Sequence, residues 1–164
     1  MKRSGKKPLS EVLGFGNTND AFHQTASSPE GTGAYAAMRT ALDMARLDAS
    51  QIDYINAHGT ATENNDLSEG LALQRLFSAG VPAFSSTKPF TGHTLAAAGS
   101  IEASFCLMAL QHQVIFPNLN FCQQMSELEI TPVLEVTKKA GLNYILSNSF
   151  GFGGNTSSIV LGSV

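Results

Sequence analysis

Hydrophobic and polar positions along the chain predict strands that alternate with helices. From Ala34 to Arg46, apolar residues recur every three or four positions, as they do on the buried face of a helix. Two further helices are predicted at about Asp66 to Phe77 and about Leu95 to Gln111, and we expect the last of these to be central and buried. Short apolar runs predict five strands, at residues 12–16, 52–57, 82–86, 143–147 and 157–161. This order indicates an α/β protein with an antiparallel pair of strands at its end.

Composition is consistent with one globular domain spanning residues 1–164. Apolar residues make up 43% of the 164 residues, which is enough for a sizeable core. Charged residues make up 14%, against about a quarter in an ordinary soluble domain, which indicates that part of the surface is covered. The interrupted apolar stretch at residues 95–110 is too short to span a bilayer, so we expect no membrane role.

Charge and cysteine content exclude several other classes of protein. A net charge of −3 gives no basic surface for nucleic acid. We interpret the small basic cluster of Lys2, Arg3, Lys6 and Lys7 as a solvated segment that precedes the first predicted strand. The two cysteines form no framework of disulfides, and no secretory signal precedes them, so a cytoplasmic location is expected.

The first segment that could carry chemistry is Asn56-Ala57-His58-Gly59-Thr60-Ala61-Thr62, which follows a predicted strand. Because ligands in open α/β sheets bind beyond the carboxyl ends of strands, the side chains of His58, Thr60 and Thr62 are placed to face a site. The alternative is a histidine that only bonds a turn carbonyl.

A second segment, Ser86 to His93, also lies between a strand and a helix. Lys88 and His93 could converge on one anion there, assisted by the positive end of the helix dipole. The alternative is a surface lysine beside a helix-capping segment.

The third segment is Asn148 to Asn155. Glycines on both sides of Phe152 permit unusual backbone angles, and Phe150 and Phe152 could wall or gate an apolar pocket. A phosphate-binding loop is a weaker interpretation, because the segment lacks the P-loop lysine. The four histidines show no metal-binding spacing, and no Gly-x-Ser-x-Gly elbow is present, so neither a metal site nor a serine hydrolase is predicted.

Together, the three segments resemble the His, Lys-His and Gly-Phe-Gly-Gly motifs of the β-ketoacyl-acyl-carrier-protein synthases, in the thiolase superfamily. Residues 13–16, 23–33 and 85–102 are also similar to the elongating synthases of fatty-acid and polyketide pathways. The resemblance implies the C-terminal half of a thiolase-like α-β-α-β-α sandwich: a mixed sheet of about five strands with helices on its faces.

The resemblance also implies roles for individual residues. His58 and His93 correspond to the two histidines of a Cys-His-His triad, and Lys88 to the family's lysine. Thr60 and Thr62 correspond to residues at the phosphopantetheine arm, and Phe150 and Phe152 to residues at a gate. Glu69 and Glu102 correspond to acids that organise the site through Lys88 and helix contacts. His23 corresponds to a histidine in a structural or channel-edge position. For the two glutamates, an isolated place on a helix surface is the alternative.

The activity that the resemblance implies is a decarboxylative Claisen condensation between an acyl thioester and malonyl-carrier protein. This chemistry requires no metal or redox cofactor, because the substrates are carried on the phosphopantetheine of acyl carrier protein. The expected partners are acyl carrier protein and an N-terminal ketosynthase half, in a parent enzyme that is a homodimer.

The chain departs from the family in one respect. The family's nucleophilic cysteine lies in an Ala-Cys-Ser-like elbow of the N-terminal half, and no such elbow is present. Cys106 is predicted to be a buried, inert thiol with a raised pKa, and Cys122 is no better as a nucleophile. We therefore expect the chain alone to be inactive in condensation. The alternative is a non-catalytic assembly subunit that binds a ketosynthase or acyl carrier protein.

Overall fold

The computed structural model describes residues 5–164, so Lys2 and Arg3 of the basic cluster lie outside the described residues. One five-stranded sheet, with strand order β1-β7-β6-β2-β3, organises the chain. Its strands are β1 (Glu11–Asn19), β2 (Tyr54–Asn56), β3 (Ala83–Ser85), β6 (Tyr144–Phe150) and β7 (Asn155–Gly162). The helices are α1 (Thr32–Ala45), α2 (Glu63–Leu76), α3 (Lys88–Thr91) and α4 (Ala98–His112), and β4 (Val114–Ile115) pairs with β5 (Thr137–Lys138) in a separate ribbon.

The sheet is mixed, as predicted. Strands β6, β2 and β3 run parallel, whereas β7 is antiparallel to both β6 and β1. The antiparallel pair expected at the end of the chain is therefore present. The parallel strands bring their carboxyl ends to the same edge of the sheet, which is where the three candidate segments begin.

Helices cover both faces of the sheet, because successive strand residues point to opposite sides. Ile55 and Leu146 face α1 and α2 in one core cluster, whereas Tyr54 and Ile145 face α4 in a second cluster. Helix α1 lies directly against β1 and β7. A Cβ atom on Gly16 would overlap the backbone of Ala37, so this close approach depends on glycine in β1.

Helix α4 departs from the prediction that it is central and buried. Only one face is buried, by Ala98, Glu102, Cys106, Ala109 and Leu110. On the other face Met108 is 39% exposed, and just before the helix Leu95 is 77% exposed. Within residues 5–164, no helix is long and apolar enough to cross a membrane.

Candidate active site

The carboxyl ends of three neighbouring parallel strands bring the predicted site residues together. His58 follows β2, Lys88 and His93 follow β3, and Phe150 is the last residue of β6. The short turns after β2 and β3 therefore place the first two candidate segments side by side. The position of each segment after a strand predicted a site for His58 and another for Lys88 and His93, and the family resemblance implied that the three residues share one site.

The two imidazole rings lie edge to face, with centroids 5.6 Å apart and an interplanar angle of 85°. His93 is exposed, and its Nδ1 accepts a hydrogen bond from the backbone N–H of Leu95 at 3.1 Å. Since an accepting nitrogen carries no proton, neutral His93 holds its proton on Nε2. His58 is buried, and its ring centroid lies 5.2 Å from that of Phe150.

Lys88 fixes the protonation state of His58. The Lys88 Nζ lies 3.1 Å from His58 Nδ1 and also donates to the His58 carbonyl. Because an ammonium group can only donate, Nδ1 accepts and the His58 proton resides on Nε2. Burial, followed by the positive charge of Lys88 and then of His93, lowers the pKa of His58 to about 3. His58 is therefore neutral at physiological pH.

The two glutamates are buried, so the alternative of isolated helix-surface glutamates is wrong for both. The Glu102 carboxylate forms an ion pair with Lys88 and accepts from Ser149 Oγ at 3.2 Å. Glu69 instead accepts the backbone N–H groups of His58 at 2.9 Å and Gly59 at 3.0 Å, together with Asn148 Nδ2 at 3.0 Å. Thus only Glu102 acts on the site through a hydrogen bond to Lys88, whereas Glu69 holds the backbone of the histidine loop.

Thr60 and Thr62 lie at the rim of the site, where their hydroxyl oxygens are 3.4 Å apart. Thr62 is also the N-cap of α2, because its hydroxyl accepts the N–H of Asn65 at 3.3 Å. The cap explains why α2 begins at Glu63, earlier than the apolar periodicity predicted. Thr60 is half-buried and Thr62 is exposed.

The glycine-rich turn places its two aromatic side chains differently. Phe150 is buried beside His58, whereas Phe152 is 77% exposed. Gly153 and Gly154 both adopt φ of +78°, as expected of glycines at unusual backbone angles, whereas Gly151 has an ordinary φ of −132°.

The loop after β1 is tied to this turn, a contact that the sequence did not reveal. Gln24 accepts the N–H of Gly153 at 2.8 Å, and Asn19 Nδ2 donates to the Gly153 carbonyl at 2.7 Å. His23 in the same loop is exposed, and its Nδ1 accepts the N–H of Thr25 at 3.2 Å. The structural or channel-edge position of His23 therefore stays a prediction.

A cavity of about 570 Å³ opens beside the site. Thr60, Lys88 and His93 are among its lining residues, and the others are apolar and polar residues that come mainly from α2, β3 and residues 118–132. Its volume is in the range of small-molecule sites in proteins. The sequence identified residues 118–132 only as a loop, because the loop has no periodicity that would place it against α2.

The cysteines lie as predicted. Cys106 is fully buried and burial raises its pKa to about 12, whereas Cys122 is exposed and hydrogen-bonds the carbonyl of Asn120. Within the described residues, the hydrogen bonds of the two thiols go to Asn56 and Asn120 and not to a histidine, although Cys122 lines the same cavity as His93. In the part of the chain that the structure describes, no three His, Cys, Asp or Glu side chains cluster as a metal site does.

The fold and the site together define a class of protein, a thiolase-like ketosynthase domain. Residues 9–122 match the family described as beta-ketoacyl synthase, C-terminal domain. Because this match covers more than half of the chain, the chain belongs to the β-ketoacyl synthase family.

Curated relatives agree with this assignment. The chain is 45% identical over 159 residues to 3-oxoacyl-[acyl-carrier-protein] synthase 2 of Rhizobium meliloti (strain 1021), a match that covers 96% of the chain and 38% of the relative. It is 42% identical to a putative mitochondrial 3-oxoacyl-[acyl-carrier-protein] synthase of Schizosaccharomyces pombe, covering 91% of the chain and 37% of the relative. The chain therefore spans well under half the length of these relatives.

Solved structures show the same fold. A type II polyketide ketosynthase in complex with its acyl carrier protein superimposes with a TM-score of 0.92 at 29% identity, covering 99% of the chain and 40% of that protein. The ketosynthase ApeO, solved with its chain length factor ApeC from Xenorhabdus doucetiae, gives a TM-score of 0.83 at 38% identity, covering 97% of the chain and 40% of that protein. The predicted C-terminal half of a thiolase-like sandwich is confirmed.

Proposed function

We propose that this chain supplies the decarboxylation site of a β-ketoacyl-acyl-carrier-protein synthase. The observation that carries the proposal is the pair of histidines, His58 and His93, whose Nδ1 atoms are each occupied by a neighbouring donor, so that each ring presents an N–H group on Nε2. Such a pair offers two N–H donors to one oxygen atom. A thioester carbonyl that gains negative charge is the kind of group that two such donors stabilise.

The reaction proceeds as follows. The C–C bond to the malonyl carboxylate breaks and releases CO₂, and its electron pair forms an enolate whose charge lies on the thioester oxygen. The enolate carbon then attacks an acyl thioester held on a cysteine, forming the new C–C bond and expelling the cysteine thiolate. One fixed N–H donor to the developing oxyanion contributes about 2.7–4 kcal/mol to such a step. No redox cofactor is needed, because no electron leaves the reactants, and in this proposal the two imidazole N–H groups stabilise the oxyanion without a metal ion.

Lys88 contributes by electrostatics. Burial and then its ammonium group make protonation of His58 unfavourable, and the ammonium group occupies Nδ1, so the His58 proton stays on Nε2. Glu102 balances this buried positive charge, since it pairs with Lys88 away from the imidazole. We assign both residues to positioning and charge control.

Substrate binding is assigned to the rim and to the glycine-rich turn. The Thr60 and Thr62 hydroxyls are close enough together to bond the amides of a phosphopantetheine arm. The exposed ring of Phe152, on a turn with two left-handed glycines, is assigned to the gate together with the buried ring of Phe150. Acyl carrier protein is the proposed partner, in keeping with the ketosynthase and acyl carrier protein complex among the similar structures.

The thiolate that the reaction requires is assigned to an N-terminal ketosynthase half. A second half would cover the exposed face of α4, where Met108 and the preceding Leu95 face solvent. Covalent catalysis needs a nucleophile, and the histidines do not provide one, so the chain alone is expected not to condense acyl groups.

A non-catalytic assembly subunit is the second candidate function. Two of the similar structures contain a ketosynthase together with a chain length factor, and this pairing is the observation that favours a supporting role for the chain. The buried Lys88–Glu102 pair and the two Nε2 donors favour the catalytic assignment, because a purely supporting subunit has no chemical use for them.

Condensation by a reconstituted pair tests the proposal. The chain is co-expressed with a cysteine-bearing N-terminal half of a related synthase, and β-ketoacyl-carrier protein is measured by mass spectrometry from acyl- and malonyl-carrier protein. Product from the pair, and from neither chain alone, is expected. A stable, folded complex without product would favour the assembly subunit.

A further inference from the structure

Ser86 lies where the two histidine-bearing loops meet, and nothing in the sequence motifs gives it a role. Its side chain is 4% exposed. The Ser86 hydroxyl donates to the carbonyl of Gly59 at 3.1 Å and accepts the backbone N–H of Lys88 at 3.3 Å. One oxygen atom therefore bonds the loop that carries His58 and the loop that carries Lys88 and His93.

The two loops touch at this point without room for a larger group. A Cβ atom on Gly59 would lie 2.5 Å from the Cβ of Ser86, and Gly59 has φ of +45°. A glycine opposite a serine therefore lets the loops meet closely, while the hydroxyl satisfies two buried backbone groups.

Ser86 is in turn held by a residue outside both loops. Its backbone N–H donates to Oδ1 of Asn118 at 2.9 Å. Asn118 begins the segment that lines the cavity, and its own N–H donates to the carbonyl of Val133. The hydrogen bonds thus run from the cavity wall through Ser86 to both loops.

We infer that Ser86 is a positioning residue that fixes the His58 loop against the Lys88 loop, with Asn118 as its support. The catalytic consequence rests on the proposed function. The geometric consequence does not, because it concerns only the contact between the Lys88 ammonium and His58 Nδ1. Loss of the Ser86 hydroxyl is expected to let the loops separate and to weaken this contact.

The test compares Ser86→Ala with Ser85→Ala. Ser85 is a matched control, because it is the adjacent residue, is fully buried, and its hydroxyl also makes two bonds, to Tyr54 and to the carbonyl of Phe116. Those bonds lead away from the histidine loops. Both variants lose two buried hydrogen bonds, so a general loss of stability should affect them alike.

Two readouts separate positioning from folding. In the reconstituted enzyme, Ser86→Ala is expected to lower kcat for malonyl decarboxylation about tenfold with little change in KM, whereas Ser85→Ala leaves kcat within about twofold. In NMR spectra of the imidazole nitrogens at pH 5, the protonated fraction of His58 should rise from about 1% to about 10% in Ser86→Ala, since its pKa starts at about 3.

Asn118 supplies a second comparison. Asn118→Asp keeps an oxygen acceptor for the Ser86 N–H, whereas Asn118→Leu removes it. We expect Asp to retain most of the wild-type kcat and Leu to approach Ser86→Ala. If His58 protonation and kcat respond equally to Ser86→Ala and Ser85→Ala, or if Asn118→Leu matches wild type in both, the inference is overturned. Because the NMR readout needs no activity, failure of the proposed function would leave it interpretable.

Discussion

Replacing Lys88 with methionine leaves the Glu102 carboxylate buried without its cation. Both side chains of this ion pair are nearly inaccessible to solvent, at 6% for Lys88 and 3% for Glu102. Removing one partner of a buried pair typically costs about 3–5 kcal/mol, because the remaining charge is left uncompensated. Lys88→Met also removes the donor to the His58 carbonyl, so we expect a loss of about 4 kcal/mol in the free energy of unfolding.

The double variant Lys88→Met/Glu102→Gln separates charge from packing. It removes both charges and should recover about 2 kcal/mol relative to Lys88→Met alone. Urea unfolding followed by circular dichroism measures the stabilities of Lys88→Met, Glu102→Gln and the double variant together with wild type. Arg39→Met is the control, because the Arg39–Asp43 pair is more than half exposed on α1 and should contribute about 0.3–0.5 kcal/mol.

The reasoning about this site would be refuted by either of two results. One is a Lys88→Met variant that loses no more stability than Arg39→Met. The other is a double variant whose loss of stability equals the sum of the losses in Lys88→Met and Glu102→Gln, since the two charges would then not interact.

Three further predictions concern other parts of the chain. The pKa of His58 is about 3 in the folded state and about 6.5 in the unfolded state. The unfolded state therefore binds the proton first, and the free energy of unfolding falls as the pH drops below about 6.5. His58→Gln should reduce this loss between pH 6.5 and 4.5 by about 2–3 kcal/mol, as measured by urea titrations at the two pH values. Gly16→Ala should lower the thermal midpoint by several degrees in calorimetry because its Cβ meets the α1 backbone, whereas Gly151→Ala, with open space around it, should stay close to wild type. Iodoacetamide should label Cys122 and leave Cys106 unlabelled in the folded chain, and equal labelling in mass spectra would contradict the buried, raised-pKa thiol.

Periodicity along the sequence predicted the elements that bury a continuous apolar face. Helix α1 and the strands β6 and β7 were found close to their predicted positions, because α1 buries residues three and four positions apart and both strands contain short apolar runs. The ribbon of β4 and β5 and the four-residue helix α3 were missed, since they are too short to show a period and lack the longer apolar runs from which β2 and β3 were predicted. The solvent-facing side of α4 was also missed, because its small and apolar residues do not indicate whether another segment covers them.

The sequence predicted the residues whose side chains carry the chemistry of the site. It did not predict the contacts that depend on backbone hydrogen bonds between distant segments. His58, Lys88 and His93 could be identified because each follows a strand and carries a titratable group. The role of Glu69 at the backbone amides of residues 58 and 59, and the bonds of Ser86 to both loops, depend on how distant segments pack. No local pattern in the sequence encodes such contacts.

Decarboxylation of malonyl-carrier protein tests the central claim most directly. The reconstituted pair is assayed for CO₂ release with wild type, His58→Ala, His93→Ala and, as a control, His112→Ala, an exposed histidine at the end of α4. We predict that each of the first two substitutions lowers the rate about 100- to 1000-fold, as expected for loss of one oxyanion donor, and that His112→Ala retains the wild-type rate. Equal rates in all four proteins would contradict the assignment of the two imidazoles to the decarboxylation step.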